Sequence, residues 1–237
     1  MLSVLMFCPQ YLPAIGGAER QAAKLSHALA EAGCKVRVLT PKLFEESPDY
    51  EVTNGFEVVR FPLTDLSKSF SFRGIGLLNV LNMRRAVLKA MRQHSSQFDV
   101  VHAHSAGLLS AFACDACERL RKPFLCKVST SRPTELELLG QRPVYGKLLA
   151  RRLSSGTRLW LGVSTDILRE LESLGIPEER LAKLPNGAPL PSVAGWEPPV
   201  RRFCYIGRLA TTANRDTDSL IQAFTRLASS HSKCELA

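Results

Sequence analysis

Short apolar segments that alternate with longer helical patterns are the feature that most constrains the fold of this chain. Segments such as LSVLMF, KVRVLTP, FDVVHAH and RLWLGVS are rich in apolar or β-branched residues, which is typical of strands. The stretches between them repeat apolar residues at helical spacing, as in GAERQAAKLSHALAEAG. Strands that alternate with helices of this length predict an α/β fold, in which helices cover both faces of a parallel sheet.

Two segments refine this prediction. In YEVTNGFEVVRFP the pair Asn54-Gly55 lies between alternating residues, which predicts a tight hairpin at an edge of the sheet. A proline-rich segment later divides the chain into a domain over residues 1–190, a linker over 191–200 and the start of a second domain over 201–237. Because one strand, one helix and the opening of another strand bury no core, we expect the sequence to be a truncated part of a longer protein.

Composition and charge narrow the class of protein. No apolar run approaches the ~20 residues of a membrane span, and no signal peptide precedes the first strand, so we expect a cytoplasmic chain with reduced cysteines. The net charge of +9 fits a solvated surface, nucleic acid, or an anionic surface or substrate. Basic helices with few aromatics and no nucleic-acid module disfavour nucleic acid as a partner. Cys114 and Cys117 form a C-x-x-C with no second pair, which favours buried helix residues over a metal site.

Three motifs follow predicted strands, where the loops of α/β sheets carry function. Gly16 and Gly17 precede a helix, and this loop is either a plain turn or an anion site formed by the helix N-terminus. His102 and His104 alternate on a strand, and His104, nearer the loop, is the candidate for a general base or a hydrogen-bond partner of a hydroxyl. Arg208 in GRL is either a surface residue or a ligand of a diphosphate.

The order of these motifs resembles one family. P-x-x-GG-x-E, DVVHAHS, LGIP followed by LPNG, and YIGRL followed by DSLIQAF are similar to the family 4 glycosyltransferases, from residue 2 to the end of the chain. The resemblance implies the GT-B fold, here a Rossmann-like N-terminal acceptor domain and an incomplete second Rossmann-like domain for the nucleotide sugar. It further implies transfer of a hexose-type sugar to an acceptor hydroxyl, with retention, in cell-envelope or exopolysaccharide synthesis.

The resemblance also implies roles for individual residues. Catalysis would involve His104, near the reacting sugar. Donor-binding residues would be Gly16, Gly17, Asn186, Gly187, Arg208 and Arg215. Acceptor-binding residues would be Glu19, Arg20, Thr130 and Glu135. The nucleotide-diphosphate sugar is the donor substrate, and no metal or other cofactor is implied. The implied partners are a glycan or lipid-linked acceptor and an anionic membrane surface, on whose inner face the basic helices would dock.

The chain departs from the family pattern at several positions. PNGAPLP lacks the usual aspartate, Arg215 lies near the usual lysine, and Ser131 and Arg132 follow KVST where a histidine and a glycine are common. The paired glutamates of the donor domain would lie beyond Ala237, so we expect little transfer by these 237 residues alone.

Two other classes of protein remain open. One is a non-catalytic half-enzyme that binds an acceptor or a membrane and needs a partner. The other is a nicotinamide-dependent enzyme, which is disfavoured because G-x-G-x-x-G and an acidic residue after KVRVLT are both absent.

Overall fold

The computed structural model describes residues 1–14, 16–66, 75–188, 202–203, 217–230 and 235–236. Contacts between Cα atoms divide the chain into two compact units, Met1–Gly187 and Ala188–Ala237. The first unit contains strands β1 (Ser3–Phe7), β2 (Lys35–Lys42), β3 (Tyr50–Thr53), β4 (Phe56–Pro62), β5 (Val100–His104), β6 (Phe124–Val128), β7 (Leu159–Gly162) and β8 (Leu181–Lys183). Its helices are α1 (Gly17–Glu31), α2 (Ile75–Gln93), α3 (Leu108–Leu120), α4 (Glu135–Gly140), α5 (Gly146–Gly156) and α6 (Thr165–Ser173).

The eight strands of the first unit form one sheet in the order β3-β4-β2-β1-β5-β6-β7-β8. Every neighbouring pair is parallel except β3 and β4, which form an antiparallel hairpin at the edge of the sheet. Asn54 and Gly55 join these two strands with φ angles of 46° and 82°, which a two-residue type I′ turn requires. The predicted edge hairpin is therefore confirmed.

Two hydrophobic cores lie on opposite faces of the sheet, because successive side chains of a strand alternate. Val4 and Met6 of β1 belong to the core beneath α1. Leu5 and Phe7 belong to the larger core beneath α2, α3 and α5. Helices therefore cover both faces, as predicted.

The C-x-x-C of α3 lies in the larger core. Cys114 and Cys117 are buried there as free thiols, and burial raises the pKa of Cys114 to about 12. Their prediction as buried helix residues is confirmed.

The segment between β6 and β7 differs from the single short helix that the sequence pattern predicts. It contains two helices, α4 and α5, which pack against each other where Gly146 lies on the backbone of Leu139. Thr134 and Glu137 form a capping box at the start of α4, with mutual side-chain to backbone hydrogen bonds of 3.2 and 2.7 Å.

The described part of the second unit is small. It contains a parallel pair of short strands, β9 (Arg202–Phe203) and β10 (Glu235–Leu236), and the helix α7 (Thr217–Ser230). The predicted linker over 191–200 and the predicted donor residues Arg208 and Arg215 lie outside the described residues. Among the helices of the described ranges, none is both long and apolar enough to cross a bilayer.

Candidate functional site at the carboxyl edge of the sheet

The strand order reverses between β1 and β5. From β1 the chain proceeds to β2 and β4 on one side, and after α2 it returns to β5 on the other side and proceeds outward to β8. In open α/β sheets this reversal opens a crevice at the carboxyl ends of the two central strands, and ligands bind there. The described residues of the loops that flank the crevice are 8–14 and 16 after β1 and 105–107 after β5.

Gly16 and Gly17, the glycine pair after β1, have different surroundings. Gly16 is the extended N-cap of α1, and the carboxylate of Glu19 folds back over it so closely that a Cβ on Gly16 would overlap the carboxylate. Gly17 is exposed, and a Cβ there would contact no atom of the described residues within 4 Å. A side chain at Gly16 would thus displace the flexible end of Glu19, whereas one at Gly17 would meet open space within the described part of the chain.

Arg60 of β4 supports the loop after β1. Its guanidinium is buried and donates hydrogen bonds to the carbonyl oxygen of Leu12 at 3.0 Å and to that of Pro48 at 2.9 Å. It also pairs with the carboxylate of Glu51 at 2.5 Å. This guanidinium thus bonds both the loop after β1 and the edge hairpin. It holds the loop that leads to Gly16 against the sheet.

His102 and His104 lie on the same face of β5, as predicted, with ring centroids 4.7 Å apart. Both side chains are buried, and the Nε2 atom of each has no hydrogen-bond partner among the described residues. Burial, with a smaller repulsion from Lys127, lowers the pKa of His102 to about 4. Burial, with smaller repulsions from His102 and Lys127, lowers the pKa of His104 to about 2. Both imidazoles are therefore neutral at physiological pH, and His104 suits a hydrogen-bonding role better than that of a general base.

Residues outside the predicted set join the separate motifs. Lys127 of β6 lies opposite His104 in the register of the parallel strands, and its Nζ donates a hydrogen bond to Oδ1 of Asn186 at 2.8 Å. Gln21, in the first two turns of α1, donates from Nε2 to the carbonyl oxygen of Gly187 at 2.9 Å. The end of β5, the PNG segment after β8 and the start of α1 are thus connected side by side.

The predicted acceptor residues differ in their surroundings. The Glu135 carboxylate accepts hydrogen bonds from the backbone N–H and the hydroxyl of Ser129, at 3.2 and 3.1 Å, and its second oxygen is buried without a partner among the described residues. Thr130 is exposed, and Arg20 is exposed on α1. In the described residues no group of three or more histidine, cysteine, aspartate or glutamate side chains is arranged to hold a metal ion.

No role was predicted from the sequence for three residues at the carboxyl edge of the sheet. Lys127 has a visible signal, because a charged residue inside the apolar strand FLCKV is unusual for a parallel strand buried on both faces. Gln21 has no such signal, since a polar residue on a surface helix is ordinary. Ser105, directly after His104, has φ of 141°, a strained conformation for a residue other than glycine, and only the structure reveals it.

Solved structures share this architecture. Sucrose-phosphate synthase from Thermosynechococcus elongatus matches with a TM-score of 0.65 and 13% identity, over 100% of this chain and 70% of that protein. Anabaena HepE in complex with UDP matches with a TM-score of 0.53 and 14% identity, over 79% and 44% of the two chains. MurG from Acinetobacter baumannii matches with a TM-score of 0.51 and 14% identity, over 88% of this chain and 53% of that protein. This chain thus spans about half or less of the length of the latter two, and identities this low show a shared fold alone.

The sheet and its strand reversal define the Rossmann-like class of α/β fold, as in GT-B proteins, and this predicted class is confirmed. The family described as Glycosyltransferase Family 4 matches residues 15–190, well over half of the sequence. The chain belongs to glycosyltransferase family 4. A comparison with proteins of curated function gives no sequence match.

Proposed function

We propose that this protein transfers a hexose-type sugar from a nucleotide-diphosphate sugar to an acceptor hydroxyl, with retention of the anomeric configuration. The acceptor is a glycan or a lipid-linked glycan of the cell envelope or an exopolysaccharide. The single observation that carries the proposal is the connection of three family motifs at the carboxyl edge, through Lys127 to Asn186 and through Gln21 to Gly187. HepE, which shares the fold, is described in complexes with UDP and UDP-glucose, which favours a uridine nucleotide as donor.

Each motif contributes a different interaction to this reaction. The open N-terminus of α1 at Gly17 presents backbone N–H groups and the positive end of the helix dipole to the diphosphate. His104 offers a neutral imidazole whose Nε2 is free to bond a sugar hydroxyl. Arg208 and Arg215, which the sequence pattern predicts to bind the diphosphate, would neutralise the leaving group.

The test is a titration with UDP-glucose, with NADH as the ligand of the alternative nicotinamide enzyme. We expect saturable binding of UDP-glucose, and slow transfer of glucose to methanol as a simple acceptor. Because UDP-glucose is α-linked, retention predicts that proton NMR detects methyl α-glucoside, which does not mutarotate during a slow reaction. Tighter binding of NADH, or formation of methyl β-glucoside, would contradict the proposal. Binding of an acceptor glycan with no nucleotide sugar bound would favour the half-enzyme.

Helix α2 supports an anionic membrane surface as a partner. Leu77 and Leu81 are exposed on α2 and lie on one stripe with Arg85, Lys89 and Arg92, since these positions follow at intervals of three or four residues. The three cations line a groove between α2 and α3. Exposed leucines followed by cations are typical of helices that lie at a bilayer surface.

Sedimentation with vesicles tests this partner. We expect the protein to sediment with phosphatidylglycerol vesicles and to remain in solution with phosphatidylcholine vesicles, because each cation near an anionic surface contributes about 1 kcal/mol. The double variant Lys89→Glu/Arg92→Glu should lose this binding, whereas Lys147→Glu on α5 should keep it. Equal binding to both kinds of vesicle would remove the electrostatic basis of the proposal.

A further inference from the structure

Lys127 is a buried charge within a parallel strand. Only 5% of the residue is exposed, and its neighbours on β6 are apolar or cysteine. Its ammonium group donates one hydrogen bond, to the side-chain oxygen of Asn186 at 2.8 Å. An ammonium has three N–H donors, so two have no protein acceptor among the described residues.

Among the described residues, no carboxylate compensates this charge. No aspartate or glutamate there forms an ion pair with Lys127, although seven ion pairs join other lysines or arginines to carboxylates. The ionisable groups that act on His104 are His102 on the same strand and Lys127 on the next one. Both imidazoles are neutral, so they add donors or acceptors but no negative charge.

This arrangement costs free energy that one neutral partner does not return. Removing a cation even partly from water is unfavourable, and an amide oxygen offers only a partial charge in return. A lysine with no buried role usually extends its ammonium group into solvent. Burial accordingly lowers the pKa of Lys127, and a bound anion would oppose that shift.

Two further polar atoms lie on the same face of the sheet as the uncompensated cation. The Nε2 atoms of His102 and His104 are buried without a partner among the described residues, and Lys127 points to that face as well. In one tautomer each of these nitrogens donates a hydrogen bond. The ammonium group and the two imidazole nitrogens can therefore all donate hydrogen bonds, and the described residues provide no acceptor for the two nitrogens.

We propose that Lys127, His102 and His104 form a subsite for the carboxylate or phosphate group of a substrate. The anion takes the free donors of Lys127, and the exposed Asn186 moves aside to admit it. This inference rests on the glycosyl transfer proposed above, and it specifies the substrate class: the donor or the acceptor carries a negative charge next to His104. A charge-assisted hydrogen bond to Lys127 then selects this substrate against a neutral sugar.

The test uses inorganic phosphate and glucuronate as probes, with glucose as the neutral control. NMR follows the ring signals of His102 and His104 during each titration. We expect at least one of the two anions to bind saturably and to shift both rings, and we expect glucose to shift neither. Phosphate binding without glucuronate binding identifies the phosphate group as the ligand, and the reverse identifies a carboxylate.

Variants at position 127 isolate the charge. Lys127→Met should weaken binding of the anion by about tenfold or more, since hydrogen bonds to charged groups contribute about 1.5–3 kcal/mol. Lys127→Arg should keep most of the affinity, and Lys147→Met, an exposed lysine on α5, should bind like the wild type. If Lys127→Met fails to fold, the wild-type ring shifts provide the test by themselves.

Two results would overturn the inference: neither anion shifts the histidine rings, or Lys127→Met binds the anion as tightly as the wild type. The proposed transfer is tested separately by UDP-glucose. A protein that turns over UDP-glucose but binds neither anion overturns the subsite alone. A protein that binds glucuronate through Lys127 but no nucleotide sugar overturns the proposed transfer.

Discussion

Gly16 and Gly17 are adjacent, yet a side chain would meet different surroundings at the two positions. At Gly16 a Cβ would meet the carboxylate of Glu19, which is the flexible end of a side chain and can turn aside, so this contact alone does not require glycine. At Gly17 a Cβ would meet no atom of the described residues, so the absence of a Cβ is significant only if a ligand approaches. Sequence reasoning identified the pair but could not separate the two residues, because the position of the Glu19 side chain is not encoded in the local pattern.

The variant Gly17→Ala tests this difference. Alanine has a higher helix propensity than glycine, so the free energy of unfolding should stay unchanged or rise by up to about 1 kcal/mol. If a diphosphate packs against this position, the added methyl group costs about 1–3 kcal/mol, and the affinity for UDP-glucose should fall about tenfold or more. Thermal unfolding and calorimetric titration measure the two effects. An unchanged affinity would mean that no ligand contacts Gly17.

The buried histidines predict how stability depends on pH. Their pKa values in the folded chain are about 4 for His102 and about 2 for His104, below the value of about 6.5 for an unfolded histidine. As the pH falls from about 6.5 towards 4, the unfolded chain binds protons that the folded chain excludes. The free energy of unfolding should therefore decrease on acidification, by up to about 1.4 kcal/mol per pH unit for each histidine.

Urea unfolding at about pH 7 and pH 5 measures this slope, because most carboxylates stay ionised over that range. The variant His104→Gln should show a shallower dependence on pH than the wild type. Equal slopes in the wild type and His104→Gln would show that His104 does not titrate differently in the folded and unfolded states.

At the scale of elements, most strands and helices could be predicted from the sequence because the spacing of their apolar residues agrees with the burial of those residues. β1 is a nearly continuous apolar run, β5 combines apolar residues with His102 and His104, and both are buried strands. The division of one predicted helix into α4 and α5 was missed because it depends on local features. The capping box of Thr134 begins α4, and close backbone packing at Gly146 lets α5 begin a few residues later. A periodic pattern over six residues is too short to reveal such a break.

The edge hairpin gives a stability prediction with a matched control. Gly55 has φ of +82°, and alanine in this left-handed conformation costs about 1–2 kcal/mol, so Gly55→Ala should lower the free energy of unfolding by that amount. Gly76 lies exposed in the first turn of α2, and a Cβ there would meet no atom of the described residues, so Gly76→Ala should leave the free energy of unfolding unchanged or raise it by up to about 1 kcal/mol. Urea unfolding compares the two. A lower free energy of unfolding for Gly76→Ala, or an unchanged one for Gly55→Ala, would contradict the backbone conformations assigned to these two glycines.

At the scale of the whole molecule, the candidate site is assembled by contacts between distant parts of the chain. Lys127 and Asn186 are separated by 59 positions, and Gln21 and Gly187 by 166. The strand reversal between β1 and β5 brings these segments to one edge, and no local pattern encodes that order. The motifs themselves could be predicted from sequence, whereas the two side chains that connect them could be recognised only in the fold.

The most direct test of the central claim, that the carboxyl edge of this sheet binds a nucleotide sugar, is a titration of the labelled protein with UDP-glucose followed by amide NMR. The account predicts saturable shifts at Gly17, Ser105 and Gly187, whose segments meet at this edge. Amides in α5, such as that of Lys147, should not move. Shifts confined to other surfaces, or no saturable shift at these three amides, would contradict the claim.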